Sequence, residues 1–215
     1  MMEFTYNPPD VPLSILYLDR SILVADKPAG LLSVPGKLAG REDCLETRIR
    51  RTFPGTLLVH RLDCDTSGVM IFARNKVAQG FLGQEFEQRR TNKTYVARVL
   101  GQLEPDQGRV DLPIGVDWPN RPRQIVDPVN GRTAVTDWLV INRSDSATRV
   151  QLRPLTGRSH QLRVHMLSLG HPILGDPIYT EDSPSYPRLM LHAETLGLHH
   201  PDTHDWVSFT APCPF

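Results

Sequence analysis

Two segments concentrate the residue types that can do chemistry. The first, His60-Arg61-Leu62-Asp63-Cys64-Asp65-Thr66-Ser67-Gly68, sets an arginine two residues ahead of an aspartate. The second, Leu155-Thr156-Gly157-Arg158-Ser159-His160-Gln161-Leu162-Arg163-Val164-His165-Met166, interleaves two arginines with two histidines. A carboxylate held on a loop can act as nucleophile, electrostatic stabiliser or base. Two other chemistries use the same residue types and are weaker. His160 and His165 are five apart, not the four that sets two metal ligands on one helix face, and no third ligand accompanies them. Cys64 and His60 lack the positioned third group that a cysteine hydrolase needs.

The elements around these segments come from periodicity. Leu57-Leu58-Val59 and Val69-Met70-Ile71-Phe72 flank the first segment and predict two strands joined by a polar loop, a scaffolded position suited to function. Residues 15–18 and 22–25 predict a hairpin about Asp19-Arg20-Ser21, and residues 43–51 a short amphipathic helix. Asn75 suits an N-cap for a helix whose apolar stripe is Val77, Ala78, Phe81, Leu82 and Phe86. Further strands are predicted at 93–100, 133–141, 148–152, 190–198 and 206–210. In the second segment Ser159 is a natural N-cap and Gly170 a natural stop. The spacing predicts burial of Leu162, Met166 and Leu169 and leaves Arg163 off the stripe. Strands outnumber helices and often adjoin, which favours an α+β chain with a mainly antiparallel sheet.

Bulk properties bound the answer without deciding it. The 215 residues carry no net charge, so no global field announces a nucleic-acid partner, yet only the footprint of such a partner must be basic. Arg153, Arg158 and Arg163 form one basic group. Arg89, Arg90, Lys93 and Arg98 form a second, and Arg121, Arg123 and Arg132 a third. Three scattered cysteines exclude a disulfide framework and point to a reducing cytosol. The N-terminal residues lack the pattern of a secretory signal. Residues 1–14 are expected to be an extended proline-containing arm and residues 15–215 one domain.

The first segment, written H-R-L-D-x-x-T-S-G, resembles the signature of the RluA-type pseudouridine synthases. K-T-Y-V-A-R-V at 93–99, T-G-R-S-H-Q-L-R-V-H at 156–165, K-P-A-G-L-L-S-V-P-G at 27–36 and G-H-P-I-L-G-D at 170–176 resemble the same family. The resemblance implies the pseudouridine synthase fold, with a mixed, mostly antiparallel sheet crossed by an active-site cleft, and no N-terminal S4 domain. It implies an isomerase that detaches a uracil from ribose C1′, turns it and rejoins it through C5. Such a reaction asks for no cofactor and no metal.

By this resemblance Asp63 is the catalytic carboxylate beside C1′, and Asp65, at a variable position, is a solvated loop residue. Arg163 is expected to pair with Asp63 and keep it ionised. Tyr95 is expected to stack on the target base. Arg61 is expected to fill the space vacated by a flipped uridine, or simply to touch phosphate. Arg158 and His160 are expected RNA contacts. The implied substrates are a hairpin loop of 23S rRNA and a tRNA anticodon stem-loop, handled by a monomer. The rival reading is an inactive RNA-binding protein that keeps the fold.

Overall fold

The computed structural model describes residues 6–180 and 186–215, so the predicted absence of a signal at residues 1–5 lies outside the described residues. Residues 6–13 form a segment without regular secondary structure. Tyr6 nevertheless ties it down, its hydroxyl donating to the Asp43 carbonyl and accepting from the Leu32 amide.

The chain forms two compact units. The first takes residues up to 92 and then 193–213, and the second takes 93–192 with the last two residues. The first begins with β1 (Ser14–Leu18) and β2 (Ile22–Lys27), the predicted hairpin, turned by Asp19. The Asp19 carboxylate accepts from the Ser21 and Ile22 amides and from His200 Nε2. Helix α1 (Leu45–Thr52) starts at Cys44, whose thiol and backbone amide exchange hydrogen bonds with Thr47 in a capping box. Next come β3 (Leu57–Leu58) and β4 (Ser67–Ala73), paired antiparallel as the flanking apolar runs predict.

Every residue of β4 is buried, and Val69–Ala73 within it is an unbroken apolar run of the kind a strand covered on both faces requires. Helix α2 (Lys76–Glu87) covers one face, with Ala78 and Leu82 packed among Ile22, Val24, Val69 and Ile71. Its cap is Asn75, whose Oδ1 accepts from the Ala78 amide at 2.8 Å, worth about 1 kcal/mol. Val77 was expected on the buried stripe but is 83% exposed, because the buried face runs through Ala78, Leu82 and Glu85 and Val77 lies off it.

The second unit opens with β5 (Asn92–Leu100) and β6 (Gln107–Asp111). A small separate hairpin follows, β7 (Ile114–Val116) and β8 (Gln124–Val126), with a 3₁₀ turn at Trp118–Asn120 between them. Then come β9 (Val135–Arg143), β10 (Ala147–Pro154) and helix α3 (Gln161–Ser168). The sheet order is β5-β10-β9-β6, and its ladders are antiparallel. Val150, Leu152, Trp138 and Ala97 share a core with Leu162 and Met166 of α3. The chain then enters β11 (Leu191–His199), the strand that carries it back into the first unit, and ends that unit with β12 (Trp206–Thr210). There the order is β1-β2-β4-β11, with β12 on β11.

The α+β architecture with a mostly antiparallel sheet is therefore as predicted. Three local expectations are corrected. The cap of α3 is His160, not Ser159, and it holds a left-handed backbone at φ 53°. Leu169 is 36% exposed, because α3 ends before it. Arg163, expected off the apolar stripe, is 2% exposed. Among the described residues no helix is long and apolar enough to cross a membrane.

Candidate active site

The Asp63 loop is held from beneath by a buried cation. Lys27 sits on β2 directly opposite Gly68, the glycine that closes the first segment, and is 0% exposed. Its Nζ donates to the carbonyls of Pro28, Leu31 and Cys64 at 2.9, 2.6 and 2.8 Å. An ammonium has three N–H donors, and an unsatisfied buried charge costs several kcal/mol, so these three acceptors are what makes the burial tolerable. Ser33 clasps the loop one residue before Asp63, its hydroxyl donating to the Leu62 carbonyl at 2.6 Å and accepting from the Leu62 amide at 3.0 Å. The Gly30 amide donates to the Cys64 carbonyl, and the Thr66 amide to the Asp63 carbonyl. Backbone on both sides of Asp63 is thus fixed, and its half-buried carboxyl is carried by a rigid loop.

Gly68 is required at the end of that loop. Its φ is +114°, and a Cβ there would lie 2.1 Å from the Ala193 carbonyl oxygen of β11. His60 is structural: its Nε2 accepts from the Ile71 amide, and its ring stacks on Phe86 at 4.6 Å. Burial, with the neighbouring Asp65 carboxylate adding to it, pushes the Cys64 thiol up to about 11, so it stays protonated at neutral pH. Neither residue is set up for the cysteine-hydrolase reading. Asp65, expected in solvent, is half-buried, and Arg61 is exposed.

The second unit carries Tyr95, Arg158, His160 and Arg163. Tyr95 lies half-buried on β5 opposite Leu152 and packs against the core under α3. Arg163 projects into a network that the sequence did not disclose. Asp176 grips it bidentately, Nε to Oδ2 and Nη2 to Oδ1, both at 2.7 Å, with Asp176 itself 0% exposed. The same carboxylate accepts from the Ile178 and Tyr179 amides. The Tyr179 ring lies 5.1 Å from the guanidinium carbon of Arg163, and its hydroxyl is 2.9 Å from His160 Nδ1. Gly175, just before Asp176, has φ +70° and room for no Cβ, since one would meet the Arg188 carbonyl at 2.0 Å.

The Thr156–Gln161 turn folds around one amide side chain. Gln161 Oε1 accepts from the Thr156 hydroxyl and the Arg158 amide, while its Nε2 donates to the Val135 carbonyl and Thr136 Oγ1. Burial lowers the pKa of His165, and its ring nitrogens contact Thr136 Oγ1 at 2.9 Å and the Leu112 carbonyl at 3.1 Å. His160 and His165 therefore each serve protein partners. Sequence reasoning missed Lys27, Ser33, Gln161, Asp176 and Tyr179 as site residues. For Lys27 and Asp176 the available signal was a charge set beside Pro or Gly inside the 27–36 and 170–176 stretches.

A clamped carboxylate loop in one unit and a buried arginine network in the other, on an antiparallel α+β scaffold, match a known family. The family model described as RNA pseudouridylate synthase matches residues 21–168, and the chain belongs to that family. It is an isomerase that acts on RNA. The chain is 51% identical over 214 residues to the dual-specificity RNA pseudouridine synthase RluA of Escherichia coli (strain K12), covering 98% of each chain. It is 46% identical to the protein of the same description from Vibrio parahaemolyticus, covering 100% of this chain and 89% of that one. The structure of human RNA pseudouridylate synthase domain containing 1 superposes with a TM-score of 0.80 at 33% identity, covering 95% of this chain and 84% of that chain.

Proposed function

We propose that this protein converts specific uridines to pseudouridine in structured hairpin loops, one in 23S rRNA and one in a tRNA anticodon stem-loop, acting as a cytosolic monomer. The observation that carries this reading is the Asp63 loop, fixed through Lys27 and Ser33 on both sides of its carboxylate. The dual specificity named for the relatives at about half identity supports two RNA substrates. In the reaction the C1′–N1 bond breaks, the uracil turns, C5 bonds to C1′, and the proton released from C5 is replaced by one at N1. A carboxylate next to C1′ is the group this demands, as at the anomeric carbon in glycoside hydrolysis. Asp63 fills that role. Tyr95 supports the detached base, and Arg163 is the second charged participant, its guanidinium fixed by Asp176. Arg61 fills the space left by the flipped uridine, recovering stacking lost on extrusion.

Mapping pseudouridines in total RNA from cells with and without the gene tests the reading. One rRNA site and one tRNA site should disappear together and return with the wild-type gene but not with Asp63→Asn. A pseudouridine map unchanged by deletion would instead support the inactive RNA-binding reading.

A further inference from the structure

The β7–β8 hairpin and the turn before α3 enclose a cavity of about 500 Å³ to which the reaction assigns no task. Trp118 is one wall. It is 67% exposed, and the Arg121 guanidinium carbon lies 4.3 Å from its ring centroid. An indole presented to solvent with an arginine stacked on it has no packing purpose in the fold. It is the arrangement by which proteins stack unpaired bases. Asp127, Asn130, Arg132 and Arg158 also line the cavity.

The polar groups are sorted by charge in a way that suits a nucleotide. Asp127 Oδ1 is engaged by the Val129 and Asn130 amides, which holds the turn, while Oδ2 lies over Gly115. Any side chain at 115 would collide with that carboxyl, since a Cβ would come within 2.7 Å of Oδ2. A carboxylate inside the cavity repels phosphate and accepts from the N–H edge of a base. The cations sit beside it: Arg132 is exposed, and Arg158 is steadied by its Nε bond to the Thr133 carbonyl. The cavity is also preformed. The Tyr179 hydroxyl bonds both the amide and carbonyl of Gln124 on β8 and lies beside His160 at the start of α3, so hairpin and helix start are tied together.

We propose that this cavity is a second nucleotide site, which holds one unpaired loop base of the substrate RNA other than the uridine that is isomerised. The base stacks on Trp118 and presents its N–H edge to Asp127, and its phosphates meet Arg132 and Arg158. The inference rests on the reading that the substrate is an RNA hairpin loop. Asp63 and Tyr95 do not line the cavity.

The test uses the full chain and a stem-loop RNA carrying the target uridine, with each other loop nucleotide replaced in turn by an abasic one. Dissociation constants and single-turnover rates at saturating RNA are measured for wild type, Trp118→Ala, Trp118→Phe and Asp127→Asn. Trp118→Ala should weaken binding by about 5- to 150-fold, the range of one base–aromatic stack, with the saturated rate within about twofold. Trp118→Phe should keep most of the affinity. One abasic position should weaken wild type to the same degree and leave Trp118→Ala no weaker. Asp127→Asn retains Oδ1 for the turn and should show the loss only with RNAs that keep that base. Wild-type affinity in Trp118→Ala, or losses that add at every position, would overturn the site. Absence of pseudouridine formation by wild type would overturn the proposed function instead, and the binding cycle would still read the cavity.

Discussion

Asp176→Asn separates charge from shape at the most buried ion pair in the second unit. The amide keeps an Oδ1 that can accept from the Ile178 and Tyr179 amides, so the local turn survives. What it removes is the negative charge facing a guanidinium that is 2% exposed. Breaking a buried pair by deleting one partner costs about 3–5 kcal/mol. Against a typical net stability of about 5–15 kcal/mol this is a severe loss. At this chain length about 2–4 °C of Tm goes with each kcal/mol, so the midpoint should fall by roughly 6–20 °C. Urea unfolding and thermal melts followed by circular dichroism measure it. A second variant makes the logic stricter. Arg163→Met with Asp176→Asn removes both charges and keeps the Oδ1 acceptor for the two amides, so most of the stability should return. That double variant should stay inactive, since the guanidinium is gone. Asp176→Asn within about 1 kcal/mol of wild type, or a double variant as unstable as the single, would refute the argument.

Other outcomes follow from the same structure. Asp63→Asn should abolish pseudouridine formation while leaving RNA affinity within roughly tenfold, since phosphate contacts supply most affinity, and Asp65→Asn should stay near normal. The reverse pattern would mean that the wrong aspartate has been assigned. Arg61→Ala should slow single-turnover reaction on a structured stem-loop far more than on an unstructured oligonucleotide, where no flipping cost is left to offset. Equal losses on both would leave Arg61 as a phosphate contact. Burial holds His165 below its usual 6.5, so the folded state resists a proton that the unfolded chain accepts. Its contribution is therefore complete above pH 6.5 and is lost as pH falls from there towards the depressed folded value, by at most about 1.4 kcal/mol per pH unit. Urea unfolding between pH 7.5 and 5 should show a shallower slope for His165→Asn than for wild type, and identical slopes would contradict it.

The parts of the fold that were legible are those decided locally. Asn75 capping α2, Gly170 ending α3 and the strands flanking the Asp63 loop each depend on neighbours within a few residues. Misreadings arose where a distant group settles the matter. Ser159 looks like a cap, but the turn is organised by Gln161, whose amide reaches Thr156, Val135 and Thr136. The short strands β6, β7 and β8 fall in a proline-rich, polar stretch without alternation, and their ladders to β9 or to each other form only on folding. Nothing in the segments around Lys27 and Asp176 shows that three carbonyls or a buried guanidinium await them. Asp63 itself was singled out by motif, whereas its clamp was not.

The order in which the chain is made bears on the glycine beneath that loop. Gly68 fits against the backbone of Ala193, on a strand synthesised 125 residues later. A ribosome that has released the first 92 residues has made Asp63, Lys27 and Ser33, but not β11, which flanks β4 in the finished sheet. Once residue 192 has been added, the second unit lacks only its last two residues and can condense before β11 is complete, as domains commonly do during synthesis. The loop bearing the carboxylate thus gains its final support late in translation. Nascent or prematurely ended chains carry the motif without the strand that braces it.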